Sequence, residues 1–183
     1  MSHLTQKERY LLEDQKTQEE LCIKKYYNYA EQAQDPQLKQ LCLELAKQEE
    51  QHLNTINQIL SGQIPNMAQQ QGQQGQQGQQ RQQGQQQGSQ NMSMQGMSSS
   101  GQTGLVNQQD ADLCTDLLST EKYVSGTYDI AIFEFRDTNI RKALNHIQKE
   151  EQEHGEKIFN YMQSNHIKTI AEYVQNDKIN TRS

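Results

Sequence analysis

A Glu-x-x-His pair, Glu49 and His52, recurs 102 residues later as Glu151 and His154. One such pair is weak evidence, because charged helices produce it by chance. The same offset also carries Glu19 onto Glu121, Tyr26 onto Tyr128 and Asp35 onto Asp137. Two copies of the order Glu, Tyr, Asp, Glu-x-x-His bring four carboxylates and two imidazoles into one set. Inside a four-helix bundle that set can ligate two metals.

Periodicity supplies the helices. Leu12, Cys22, Tyr26, Tyr29 and Ala33 follow three-and-four spacing, with Gln15 and Glu19 on the same stripe, so a first helix is predicted over about 5–34. Asp35-Pro36 then closes one helix and starts another, with Asp as cap and Pro in the first turn. The second helix, ending near Ser61-Gly62, carries Leu38, Cys42, Leu45, Glu49, His52, Ile56 and Ile59. A third begins near Gln109-Asp110 with Cys114, Leu117, Glu121, Val124, Tyr128, Ala131 and Phe135. Asp137 caps the fourth, whose stripe is Ile140, Leu144, Ile147, Glu151, His154, Ile158 and Tyr161. A short packing helix is expected over roughly 167–175. Each tightly connected pair is an antiparallel hairpin, and two amphipathic hairpins bury their stripes best against each other. The expected organisation is a first hairpin over 1–61, a linker over 62–108, and a second hairpin with the short helix over 109–183.

Residues 62–104 contain 18 Gln, nine Gly and a single charge, Arg81. Such a segment cannot bury enough apolar surface to offset its ordering entropy, so a disordered Gln-rich crossover is expected. Such chains also associate with one another, and their glutamines are acceptors for isopeptide cross-links to lysine. A passive flexible linker is the plainer alternative.

Net charge is −6 and the pI about 5.4, with no Lys/Arg cluster, which disfavours nucleic acid and anionic membrane as partners. No apolar run reaches the roughly 18 residues of a membrane span. The polar start, Met1-Ser-His-Leu-Thr, is no secretory signal, so synthesis in the cytosol is expected. Cys22, Cys42 and Cys114 form no CxxC pair and read as small hydrophobes on helix faces.

Glu19, Glu49, His52, Glu121, Glu151 and His154 all stand on stripes otherwise made of apolar and aromatic residues. A buried carboxylate costs several kcal/mol unless compensated. Four carboxylates with two neutral imidazoles carry about −4, which two divalent cations balance. Glu19 and Glu121 are expected as terminal ligands, Glu49 and Glu151 as bridges, and His52 and His154 as the nitrogen ligands one turn on. Mixed nitrogen and oxygen ligation suits two iron or manganese ions, and the spacing does not choose between them. A buried Glu/His hydrogen-bond network without metal is the alternative. Tyr26 and Tyr128, two turns after their glutamates, are placed to hydrogen-bond a ligand. Asp14 and Asp116, also at the repeat offset, are substitutes should Glu19 and Glu121 point elsewhere. His3, His146 and His166 receive no role.

These residues resemble the ferritin-like superfamily and its rubrerythrin-type helix pairs. The resemblance rests on Glu19…Tyr26…Ala30…Ala33 with Gln48-Glu-Glu-Gln-His52, and on Glu121…Tyr128…Glu151-Gln-Glu-His154. The opening Leu4-Thr-Gln-Lys-Glu8, the Ala33-Gln-Asp-Pro-Gln-Leu38 turn and the Gln-rich insert are similar to coat protein F-type spore proteins of clostridia and bacilli. That resemblance implies a structural component of the endospore coat, made in the mother-cell cytosol, with other coat proteins and further copies of itself as partners. A dimetal oxidoreductase of ferroxidase, peroxidase or catalase type is the competing expectation, and iron storage in a closed shell a third.

Overall fold

The computed structural model describes residues 4–63 and 107–167, and these are all-α. The described residues form four helices: α1 (Gln6–Gln32), α2 (Pro36–Leu60), α3 (Gln108–Ile132) and α4 (Thr138–Ser164). The Gln-rich insert and the short helix expected over 167–175 lie outside the described residues, apart from their edges.

Capping chemistry sets the helix starts. Thr5 opens α1 with a reciprocal capping box: its hydroxyl accepts from the Glu8 backbone N–H, and the Glu8 carboxylate accepts from the Thr5 N–H. Asp35, Asn107 and Asp137 cap α2, α3 and α4 through their side-chain oxygens. α2 ends at Ser61 and Gly62; the glycine has φ +84°, a left-handed conformation that favours Gly.

α1 pairs with α2, and α3 with α4, as two hairpins that pack into a helical bundle. Cross-hairpin contacts fix the directions. Lys7 meets Glu134, Gln15 meets Thr127 and Lys25 meets Asp116, so α1 and α3 run antiparallel. Gln48 with Lys157 and His52 with Glu150 set α2 antiparallel to α4. α2 and α3 therefore run parallel. Both oxygens of buried Asp110 accept backbone N–H bonds from Gln34 and Asp35, pinning the start of α3 to the α1–α2 turn. At the other end, Glu8 accepts from the Arg136 backbone N–H at the α3–α4 turn. Burial works to raise the Glu8 carboxyl, but bonds from Arg136 and Thr5 outweigh it and hold it at about 2.

The core follows a seven-residue rhythm. On α2 it reads Leu38, Cys42, Leu45, Glu49, His52, Ile56 and Ile59, every one buried. Two expected stripes drift at their ends. On α1 the stripe closes at Ala30 instead of Tyr29 and Ala33; on α4 it closes at Met162 instead of Tyr161. A strict 3.5-residue repeat falls behind a 3.6-residue helix by about 20° per heptad, and a four-residue step restores the register. Both displaced tyrosines find surface acceptors: Tyr29 donates to Asp116 and Tyr161 to Asp35. Cys22, Cys42 and Cys114 are buried and unpaired.

Candidate metal centre

The heptad rhythm delivers one polar layer from all four helices at mid-bundle. Glu19, Glu49 and Glu151 are fully buried, and Glu121, His52 and His154 are at most 2% exposed. On α2 and α4 the Glu and His stand three residues apart, so both side chains of each pair reach the same side of the layer. All six residues singled out by spacing converge here. Asp14 and Asp116 do not: both are exposed, and Asp116 pairs with Lys25.

The six form two overlapping groups. Ligand atoms of Glu19, Glu49, His52 and Glu151 lie within 4.8 Å of one another, as do those of Glu49, Glu121, Glu151 and His154. Glu49 and Glu151 belong to both. His52 Nδ1 stands 2.9 Å from Glu151, 3.4 Å from Glu49 and 3.6 Å from Glu19. His154 Nδ1 stands 2.8 Å from Glu49 and 3.7 Å from Glu121. The two rings stack with centroids 5.5 Å apart.

Each tyrosine crosses to the other hairpin. Tyr26 donates its hydroxyl to Glu121 Oε1, and Tyr128 donates to Glu19 Oε1. Their second oxygens stay unsatisfied. Buried atoms without a hydrogen-bond partner are Glu19 Oε2, Glu49 Oε2, Glu121 Oε2, both Glu151 oxygens and His52 Nδ1. Outside this layer the described residues add only Asn107 Nδ2. The His52 nitrogen is close to Glu151 yet misaligned for a hydrogen bond. Unpaired buried polar atoms are rare, because each forfeits its hydration. Five oxygens and a nitrogen aimed at shared points suit cation ligation and leave the hydrogen-bond alternative incomplete.

Without a cation the layer must balance its charge with protons. Burial drives Glu19 up to about 7 against the pull of His52, with the Glu49 charge adding to the rise. Burial and the Glu49 charge push Glu151 well above the carboxylate range. Burial opposes ionisation of Glu49 too, but His154 and His52 outweigh it and hold its carboxyl low. Burial would lower both imidazoles; the surrounding glutamates raise them instead. The proton-loaded state is thus an imidazolium–carboxylate network with protons on Glu19 and Glu151.

Sequence reasoning missed two acids. Glu150 accepts from His52 Nε2 at 3.1 Å and lies 3.4 Å from His146 Nε2. The repeat concealed it, since its counterpart is Gln48. Asp110 was legible, standing one four-residue step before Cys114 on the stripe.

Residues 109–167, which span α3 and α4, match the family model of the Coat F domain. That stretch, about a third of the chain, is similar to the Coat F domain. The match bears out the resemblance to F-type coat proteins, and it falls on the second hairpin, whereas the motifs that suggested it lie in the first hairpin and the insert. No curated protein and no solved structure matches the chain. Among the described residues, no helix is long and apolar enough to cross a membrane.

Proposed function

We propose that this protein is a structural component of the bacterial endospore coat, built on a ferritin-like four-helix block that holds two divalent metals. The Coat F domain supports the coat assignment. The observation that carries the metal reading is the set of unsatisfied buried ligand atoms on Glu19, Glu49, His52, Glu121 and Glu151. Glu19 and His52 would serve one ion, Glu121 and His154 the other, with Glu49 and Glu151 shared. Two iron or manganese ions would supply the positive charge that four buried carboxylates require, together with redox capacity. The chain's own residues orient the ligands: Tyr26 and Tyr128 hold one oxygen of each terminal glutamate and so direct the other inward.

In the coat reading the bundle is a rigid block, and the Gln-rich segment binds other coat proteins and further copies of the chain. The test compares sporulating cells carrying the full chain with cells carrying a chain that lacks residues 70–89. The full chain should fractionate with insoluble coat and the shortened one should be depleted from it. Equal incorporation would refute an adhesive segment; absence of the full chain from the coat would refute the assignment.

A second reading, a dimetal oxidoreductase of ferroxidase, peroxidase or catalase type, is favoured by a pocket of about 540 Å³ between α1 and α3. Leu21, Lys25, Tyr29 and Tyr123 line it, along with Cys22. Cys22 stands one helical turn after Glu19 on the buried stripe of α1, beside the polar layer. Peroxide consumption by metal-loaded protein that disappears in Glu49→Ala would establish this activity. Equal consumption by both would remove it.

A further inference from the structure

The two halves of the polar layer repeat their ligands but not what stands behind them. His52 Nε2 lies 3.1 Å from Glu150 Oε2, a carboxylate whose residue is half-buried on α4. His146 Nε2 approaches the same oxygen at 3.4 Å. At the repeat-equivalent position stands Gln48, whose side-chain oxygen is engaged by Lys157 Nζ at 2.9 Å. Glu44, the counterpart of His146, accepts instead from Gln40. One imidazole is therefore backed by an anion, while the repeat supplies only an amide at the matching place behind the other.

A carboxylate at Nε2 has two consequences. When the ring gives up one proton to bind a cation, the carboxylate keeps the other on Nε2, so that the Nδ1 lone pair faces Glu19, Glu49 and Glu151, and it makes that lone pair more basic. His52 Nδ1 is indeed the ring nitrogen left without a hydrogen-bond partner, whereas His154 Nδ1 is bonded to Glu49. His52 has only a proton to lose at Nδ1, whereas His154 has a hydrogen bond to Glu49 to break as well.

We propose that Glu150 is a positioning residue that makes the centre unequal, so that the ion at Glu19, Glu49, His52 and Glu151 binds first and more tightly. This rests on the reading of the layer as a dimetal centre. The second ion then enters a position whose bridges are already occupied on one side and whose imidazole has no carboxylate behind it from the repeat.

The test adds Mn²⁺ stepwise to the full chain, following heat by calorimetry and the metal by electron paramagnetic resonance. Wild type should bind two ions in separate steps, the first at least about tenfold tighter, with an isolated-ion signal before a coupled-pair signal. Glu150→Gln should weaken the first step by about tenfold and merge the two, leaving the melting temperature of metal-free protein nearly unchanged. Gln48→Glu should tighten the second step, and it decides the matter alone should Glu150→Gln fail to fold. Two equal steps in wild type, or a Glu150→Gln variant that weakens both steps alike or neither, would overturn the inequality while leaving the centre intact. Wild type that binds no Mn²⁺ would overturn the centre and the inference together.

Discussion

At the scale of single residues, burial and partner geometry decide what each titratable group does. Glu19 is held at about 7 in the folded chain, against an ordinary value of 4.5. A group raised on folding contributes stability in full below its unfolded value and loses it as pH rises through the folded one. The raised imidazoles of His52 and His154 act in the same direction at higher pH. Metal-free protein should therefore melt at progressively lower temperature as pH rises from about 4.5 through 7, and Glu19→Gln should flatten that slope. Metal requires the deprotonated ligands, so its affinity should rise through the same window. A melting temperature that climbs between those pH values without metal would contradict the proton-loaded network. Tyr128 supplies the hydrogen bond that fixes Glu19. Tyr128→Phe should lower metal affinity by about 10-fold, measured by competition with a chelator, while leaving helix content in place. An unchanged affinity would show that Glu19 needs no such support.

Elements show what was legible beforehand and what was not. Helix starts at Pro36 and Thr138 could be read from Asp-Pro and from Asp137, because a capping side chain acts on its own next few residues. The six residues of the buried polar layer could be read because a polar residue on an apolar heptad stripe is conspicuous. Tyr29 and Tyr161 were misplaced by one step, since the helix's true period lets the stripe slip and a tyrosine hydroxyl then settles on a surface acceptor. Glu150 was invisible because its partner, His52, is on another helix and the internal repeat gives it no echo. Asp110 illustrates a contact between elements: it accepts two backbone N–H bonds from the α1–α2 turn. Asp110→Ala leaves both donors without their acceptor and should cost about 2–3 kcal/mol in urea denaturation. A loss below about 0.5 kcal/mol would mean that water replaces the carboxylate at no cost.

Viewed as a whole molecule, the bundle requires a connection of particular reach. α2 ends at the opposite end from the start of α3, so residues 63 and 107 are separated by roughly the length of α2, about 36 Å for its 25 residues. Removing residues 70–89 leaves ample chain. Removing 66–100 leaves nine steps between 63 and 107, at most about 32 Å when fully extended. That shorter chain should fold as a domain-swapped dimer, each α1–α2 hairpin pairing with the partner's α3–α4, and sedimentation should show it. A stable monomer would contradict the end-to-end topology.

The centre itself answers to metal content. Full-length protein, produced with iron and manganese available and desalted without chelator, is analysed by mass spectrometry beside the Glu49→Ala/Glu151→Ala variant. About two metal ions per chain are expected, lost when both shared carboxylates are removed. A folded wild-type protein with metal near zero would contradict that expectation and leave six buried ligand atoms satisfied by protons alone.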